Sequence, residues 1–286
     1  MPAATGTGGV VTGIGRAFRA RSGRLGAIVL AVIIGAAVAL PPMLPDPLAI
    51  GDLTAGMQQG PSAHHPFGTD QLSRDILART VAGARISLSI ALPAVAIALS
   101  LGAVVGLVTG YLGGWVDALL MRLVDGLMAI PRIFVLLLLL AAWDRLPAWA
   151  LPLVIGATGW LGTSRMVRAE VLRVAREEFV RAAESLGATR RRIALRHLLP
   201  NALGPLLVAG TVGLADAVLL ESGLSYLGLG LAPPTPSWGS MLADGKQFLS
   251  TAPWAALFPG LALVLTVLGA HLLADALERA LRLPRA

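Results

Sequence analysis

Cysteine is absent from this 286-residue chain, and lysine occurs once, at Lys246. Without cysteine there can be no disulfide framework and no thiolate metal site. The single lysine lies in Asp-Gly-Lys-Gln, so there is no Gly-x-x-x-x-Gly-Lys-Ser/Thr loop to cradle nucleotide phosphates. Serine, histidine and aspartate are present, but none stands in a nucleophile-elbow context, which removes a serine-hydrolase reading. Charge is scarce as well. Charged residues make up 14% of the chain, against about one quarter in soluble domains.

Apolar residues fill that space. They reach 56% of the sequence, with a mean hydropathy of +0.75. A helix needs roughly 20 apolar residues to cross about 30 Å of hydrocarbon, and six runs qualify as candidate spans: about 24–44, 86–110, 117–142, 147–168, 202–222 and 254–275. Pro93, Pro131, Pro152, Pro205 and Pro259 punctuate them, which membrane helices tolerate because neighbours re-satisfy freed backbone groups. The expected fold is therefore all-α and polytopic, with about six transmembrane helices. The first run ends at Pro41-Pro42 rather than at a small-residue cleavage site, so it is expected to stay as an anchor. The Gly/Ala-rich first 13 residues are expected to be unstructured.

The net charge of +7 does not point to nucleic acid, because the cations sit at the ends of apolar runs. With the N-terminus inside, sixteen arginines face inward (Arg16 to Arg24, Arg165 to Arg196, and Arg279, Arg282 and Arg285). Five cations face outward: Arg74, Arg79, Arg85, Arg145 and Lys246. That positive-inside bias predicts a multi-pass membrane protein with both termini cytoplasmic. The resulting layout is a tail over 1–23, a first span over 24–44, an extracytoplasmic loop over 45–85, a core over 86–275 and a tail over 276–286. Within the core lie a cytoplasmic loop, 169–201, and an outer, re-entrant loop, 222–253.

The inner loop holds the strongest polar signal, Glu177 to Pro200. Phe179, Ala182, Ala183 and Leu186 recur at helical spacing, opposite Glu177, Glu178, Arg181 and Glu184. Gly187 is placed to end that helix in a left-handed conformation. Thr189 can cap a second helix carrying Arg190, Arg191, Arg192 and Arg196, and Leu199-Pro200 opens the next span. On amphipathicity alone, an ordinary polar connection fits as well as a docking element.

The segment resembles the EAA loop of ABC-importer permeases. Arg181-Ala182-Ala183 is followed by Gly187, then by His197 and Leu199-Pro200, with Arg181 in place of the usual Glu. Three further blocks are similar to the C-type permease of dipeptide, oligopeptide and nickel importers. They are His65-Pro66-Phe67-Gly68-Thr69-Asp70 through Ser87, Gly110-Tyr111-Leu112-Gly113-Gly114-Trp115 through Pro131, and Glu221-Ser222-Gly223-Leu224-Ser225-Tyr226 through Trp238-Gly239.

The resemblance implies a pore-forming subunit rather than an enzyme. It would pair with a homologous second permease, two nucleotide-binding ATPase subunits or domains that bind ATP and magnesium, and an extracytoplasmic solute-binding protein. This chain itself would hold no cofactor. The coupling residues implied are Arg181, Ala182, Ala183, Gly187, Ala188, Arg190, Arg191, Arg192, Ile193, His197 and Pro200. Peptides are the expected cargo, with nickel or another small solute as the alternative. A self-sufficient secondary transporter would instead need its own coupling-ion site and no docking loop.

A charge at mid-helix costs about 2.5–3.5 kcal/mol on insertion scales, so ionisable residues in spans usually face a bundle or a wet cavity. Asp125, Arg132 and Glu221 are read either as lining the path or the permease–permease interface or as pairing internally or lying near headgroups, and Ser225 and Tyr226, from the block at Glu221, are assigned to the path or interface with them. Asp117 and Asp275 are read as interfacial, and Asp216 is left open. His64-His65 has no acidic or histidine cluster behind it, and no metal site is predicted. Trp238 and Trp254 are expected near the membrane interface.

Overall fold

The computed structural model describes residues 7–143 and 147–282. Arg145 and Arg285 of the charge count therefore lie outside the described residues. Among the described residues the regular secondary structure is helical, apart from one isolated bridge between Thr69 and Asp75, and residues 44–75 form an irregular connection. The long helices are α2 (Arg21–Ala39), α3 (Ile76–Leu112), α6 (Ala150–Val174), α9 (Leu199–Tyr226) and α11 (Trp254–Arg282). Shorter ones are α1 (Thr7–Arg19), α4 (Gly114–Met128), α5 (Arg132–Ala141), α7 (Glu178–Ser185), α8 (Arg190–Ile193) and α10 (Trp238–Gly245).

Among the described residues four helical stretches are long and apolar enough to cross a membrane: α2, α3, the run from α8 through α9, and α11. The protein is a polytopic membrane protein. The 117–142 run is not one straight helix. It breaks at Ala129–Pro131 into α4 and α5, which meet at 80°, and together they count as a fifth candidate span. Pro131 explains the break, because it cannot donate the next backbone hydrogen bond and its ring excludes a helical carbonyl. The fourth expected span, 147–168, corresponds to α6. It has the length, 25 residues, but glycine, threonine, serine and Arg165 lower its hydropathy.

Several boundaries differ from the expectation. α3 begins at Ile76, ten residues before the predicted span, because Asp75 caps it by accepting a hydrogen bond from the Ala78 backbone N–H at 2.8 Å. The last part of the 45–85 loop is therefore helix. The N-terminal segment is helical from Thr7, not unstructured through residue 13, because Ala17 and Ile14 pack on Ala276, Leu277 and Ala280 of α11. α11 continues helically to Arg282 instead of ending at 275.

α3 and α6 form the tightest pair. Gly102, Gly106 and Gly110 recur every four residues and so share one face of α3. A Cβ at Gly106 would lie 2.6 Å from the Ser164 carbonyl oxygen, and one at Gly110 would lie 2.9 Å from Val171 Cβ. Gly156 of α6 answers from the other side, where a Cβ would sit 2.7 Å from the Ala94 carbonyl. Small residues at such spacing let membrane helices approach to backbone contact. α2 lies on α11 in the same way, with Gly26 against the Gly269 carbonyl.

The region from 227 to 253 folds over one end of the bundle, through α10. Trp238, expected at the membrane interface, is instead fully buried in the main core beside Leu88, Ala91 and Leu224. Its indole N–H needs a partner once desolvated, and it donates to the Thr80 carbonyl at 3.1 Å. Trp254 is partly buried and donates to the Thr69 carbonyl.

Candidate functional site

The arginine-rich end is built on α7 and α8. α7 ends where Gly187 adopts φ +78°, a conformation that glycine enters without steric cost. Ala188 N–H then bonds the Ala183 carbonyl at 3.0 Å, and Gly187 N–H bonds that of Glu184 at 2.9 Å. This is a Schellman closure that satisfies the last carbonyls of the helix. Thr189 begins α8, its hydroxyl accepting from the Arg192 N–H at 3.3 Å.

Two side chains anchor this helix–turn–helix. Val180 of α7 and Ile193 of α8 are buried with Val167, Val171 and Val174 of α6, and with Leu198 and Ala202 further along. Ala188 packs against the edge of that cluster. The apolar face read from the sequence is therefore not the one that holds α7 to the bundle. Phe179 stays 39% exposed and Leu186 88% exposed, and Ala182 is also open. Arg181, Arg190, Arg191 and Arg192 are exposed around them, while Ala183 is half-buried. His197 is half-buried, its ring 6.1 Å from that of Phe179, and its carbonyl accepts from Asn201 Nδ2 at 2.6 Å.

Pro200 lies in the first turn of α9, as expected, but α9 is not separated from α8. Residues Ala194–Leu198 form a π turn that joins α8 to α9. Pro200 has no N–H to offer, and its ring would collide with the carbonyl four residues back. A widened turn is a known way for a helix to absorb such a defect. The result is one continuous helical stretch from Arg190 to Tyr226, so the exposed loop is rigidly joined to a span.

The ionisable residues of the bundle separate into three settings. Asp125 pairs with Arg165 at 2.7 Å on an exposed face, and Asp117 pairs with Arg168. Glu221 is completely buried, accepting from Ser225 Oγ at 2.8 Å and Ser222 Oγ at 3.3 Å on its own helix. Arg132 donates from Nη2 to the Ile155 carbonyl and from Nε to Thr158 Oγ1 at 3.2 Å. Tyr226 is exposed, with the Lys246 ammonium 4.9 Å from its ring centre, a cation–π distance. These five residues thus do not converge on one point. Asp275 is exposed on α11.

Sequence reasoning missed a charge network at the opposite end. Arg74 Nε bonds Asp70 Oδ2 at 2.7 Å, while Arg79 reaches Asp70 at 3.4 Å and Asp244 at 3.5 Å. Asp70, Arg74 and Arg79 are buried while Asp244 is exposed, so the network ties the start of α3 to α10 at the surface. Partial burial pushes the Asp244 carboxyl up, against the pull of Arg79 and Arg74. The signal was present as Asp70, Arg74 and Asp75 in the first block, but Asp244 is remote in sequence. His65 Nδ1 lies 2.8 Å from Asp75 Oδ2, so it serves the cap of α3. Among the described residues no group of three or more His, Asp or Glu side chains is assembled to hold a metal ion.

Comparison with known proteins fits this geometry. Residues 102–283 match the family described as binding-protein-dependent transport system inner membrane component. The dipeptide transport system permease protein DppC of Alkalihalophilus pseudofirmus is 42% identical over 223 residues, covering 78% of this chain and 73% of that one. The oligopeptide transport system permease protein OppC of Bacillus subtilis is 40% identical over 223 residues, 77% of this chain and 72% of the relative. OppC of Mycobacterium bovis is 37% identical over 265 residues, 92% and 90% of the two chains.

Proposed function

The chain belongs to the inner membrane components of binding-protein-dependent transport systems, and on that footing we propose how it works. It is the C-type permease of a di- or oligopeptide importer, one of two homologous chains that enclose the path. As a member of that family it is a transport subunit and not an enzyme. Partner nucleotide-binding subunits bind ATP and magnesium and hydrolyse the nucleotide, and an extracytoplasmic binding protein delivers the peptide. Both termini lie in the cytoplasm, on the side of the arginine-rich end, and the membrane is the inner, cell membrane.

One observation carries the mechanical part of this reading. α7 and α8 are locked to the bundle by Val180 and Ile193, yet present Leu186, Phe179 and four arginines outward. A short helix held firmly on one side and unpartnered on the other suits insertion into a groove of an ATPase. Closure of the ATPase dimer would then move α6 and α9 as rigid bodies, since packed interfaces switch between discrete arrangements rather than deforming smoothly. Arg181 takes the place of a family Glu, so the polar contact there has the opposite sign. An acidic residue on the ATPase is the complement it calls for.

Purification of the tagged chain from its native membrane tests this. Recovery with a second permease, nucleotide-binding subunits and a solute-binding protein, and ATP-dependent peptide uptake by the reconstituted complex, is the expected result. A chain recovered alone that transports in liposomes without ATP would overturn it.

A further inference from the structure

Midway along α3, α6 and α9 lies a cavity of 340 Å³ whose walls are apolar except at Arg132, Thr163 and Asp216. Its apolar lining includes Ala98, Val208 and Val212. The volume falls within the range of about 300–1,000 Å³ typical of small-molecule sites. Arg132 and Asp216 interact electrostatically, but no ion pair joins them. Arg132 commits two of its five N–H donors, to Ile155 and Thr158, and Asp216 is exposed. Asp216 stands at mid-helix in α9, where a charge costs about 2.5–3.5 kcal/mol on insertion scales, while Arg132 opens α5. Direct pairing would offset part of that cost, and it is not what the protein does.

We propose that this cavity is a peptide-binding subsite, in which Arg132 receives the free α-carboxylate and Asp216 the free α-ammonium of a short peptide. The assignment rests on the peptide-importer reading and deepens it. A guanidinium fork matches a carboxylate bidentately, and a carboxylate accepts from an ammonium. An extended dipeptide spans about 7 Å, so its two ends can bridge opposite charges that line one cavity without touching. The apolar remainder of the wall makes no hydrogen bond to a peptide side chain, so the site reads termini and tolerates sequence.

The absence of cysteine makes the test direct. Val212→Cys places the one thiol of this chain in the cavity wall, and mass spectrometry of the chain follows its reaction with a small thiol reagent in the assembled complex. Uptake of dialanine by the same variant in proteoliposomes is measured in parallel. Dialanine should slow labelling, while N-acetyl-dialanine amide should not. Arg132→Gln or Asp216→Asn in that background should raise the dialanine concentration needed for protection about 10- to 100-fold, the loss of one charge-assisted hydrogen-bond partner.

Equal protection by the blocked peptide, or no protection while uptake of dialanine persists, overturns the subsite and leaves the importer reading standing. A thiol that never reacts in the assembled complex places the cavity against the second permease or lipid and also overturns it. Absence of peptide uptake by the wild-type complex brings down the peptide reading and the subsite together.

Discussion

Arg168 of α6 grips Asp117 of α4 through two parallel hydrogen bonds, Nε to Oδ1 at 2.5 Å and Nη2 to Oδ2 at 2.6 Å. The pair sits just past Gly113 and Gly114, at φ +64° and +58°, where the backbone turns from α3 into α4. It also sits two turns before the end of α6, which leads into α7. If the α7–α8 element moves as proposed, the motion would reach α4 through this bidentate clamp as well as through apolar packing.

Asp117→Asn or Arg168→Lys should each weaken this clamp by about 1–2 kcal/mol, since both keep a polar group but lose the charged fork. Thermal unfolding of the purified complex reads the loss, and ATPase stimulation by loaded binding protein should fall with it. The exchanged pair, Asp117→Arg with Arg168→Asp, should recover part of both. Additive losses in the double variant would remove the clamp from the mechanism.

Leu186→Asp is expected to leave the chain folded and inserted, because that side chain makes no internal contact worth protecting at 88% exposure. It should nonetheless abolish assembly with the ATPase, measured by co-purification. Val180→Asp, by contrast, buries a charge in the α6–α9 cluster and should lower expression itself. If Leu186→Asp assembles and transports normally, the outward face of α7 is not the docking surface.

At Gly187 the left-handed backbone sets the outcome. Alanine there should cost about 1–2 kcal/mol, and proline, whose φ is fixed near −65°, should abolish ATP-coupled transport while the spans remain inserted. Uptake by reconstituted complexes, with protease mapping of the inserted chain, separates the two effects.

Trp238→Ala should destabilise the chain by about 3–5 kcal/mol, as for other large core truncations. Trp238→Phe keeps most of the volume and loses only the indole hydrogen bond to the Thr80 carbonyl, for a loss of about 0.5–1.5 kcal/mol. Unfolding midpoints in detergent distinguish a core tryptophan, with this order of losses, from an interfacial one that tolerates phenylalanine.

Gly106→Leu should prevent α3 from seating on α6, since even a Cβ lies 2.6 Å from a backbone oxygen there. Gly35→Ala meets nothing within 4 Å and should be neutral or slightly stabilising, alanine being the better helix former. Comparable expression of the two variants would argue against close α3–α6 packing.

Helical class, the long apolar helices and the α7–α8 turn were legible because each rests on local physics, whereas the number of spans was not. Long apolar runs, a glycine at a helix end and a threonine before a basic turn act within a few residues. The 80° break at Pro131 was half-legible: proline marks the site, but the angle depends on what α5 packs against. The docked side of α7 was not legible, because Phe179 and Val180 are adjacent and periodicity cannot choose between the faces they define. Only the presence of Val167 and Val171 on α6 decides that Val180 turns inward.

Composition and spacing by themselves determined that this chain lives in a membrane, which end carries its arginines, and where it offers a polar, helix–turn–helix surface. Those properties follow from transfer free energy and local backbone geometry, which each segment carries wherever it is placed. Tertiary structure alone decided that Asp117 meets Arg168, that Asp244 meets Arg79, that Trp238 is core, and that Arg132 and Asp216 share one cavity. Each of these joins residues far apart in sequence, and which of many possible partners a charge or an indole finds is fixed only when the helices pack.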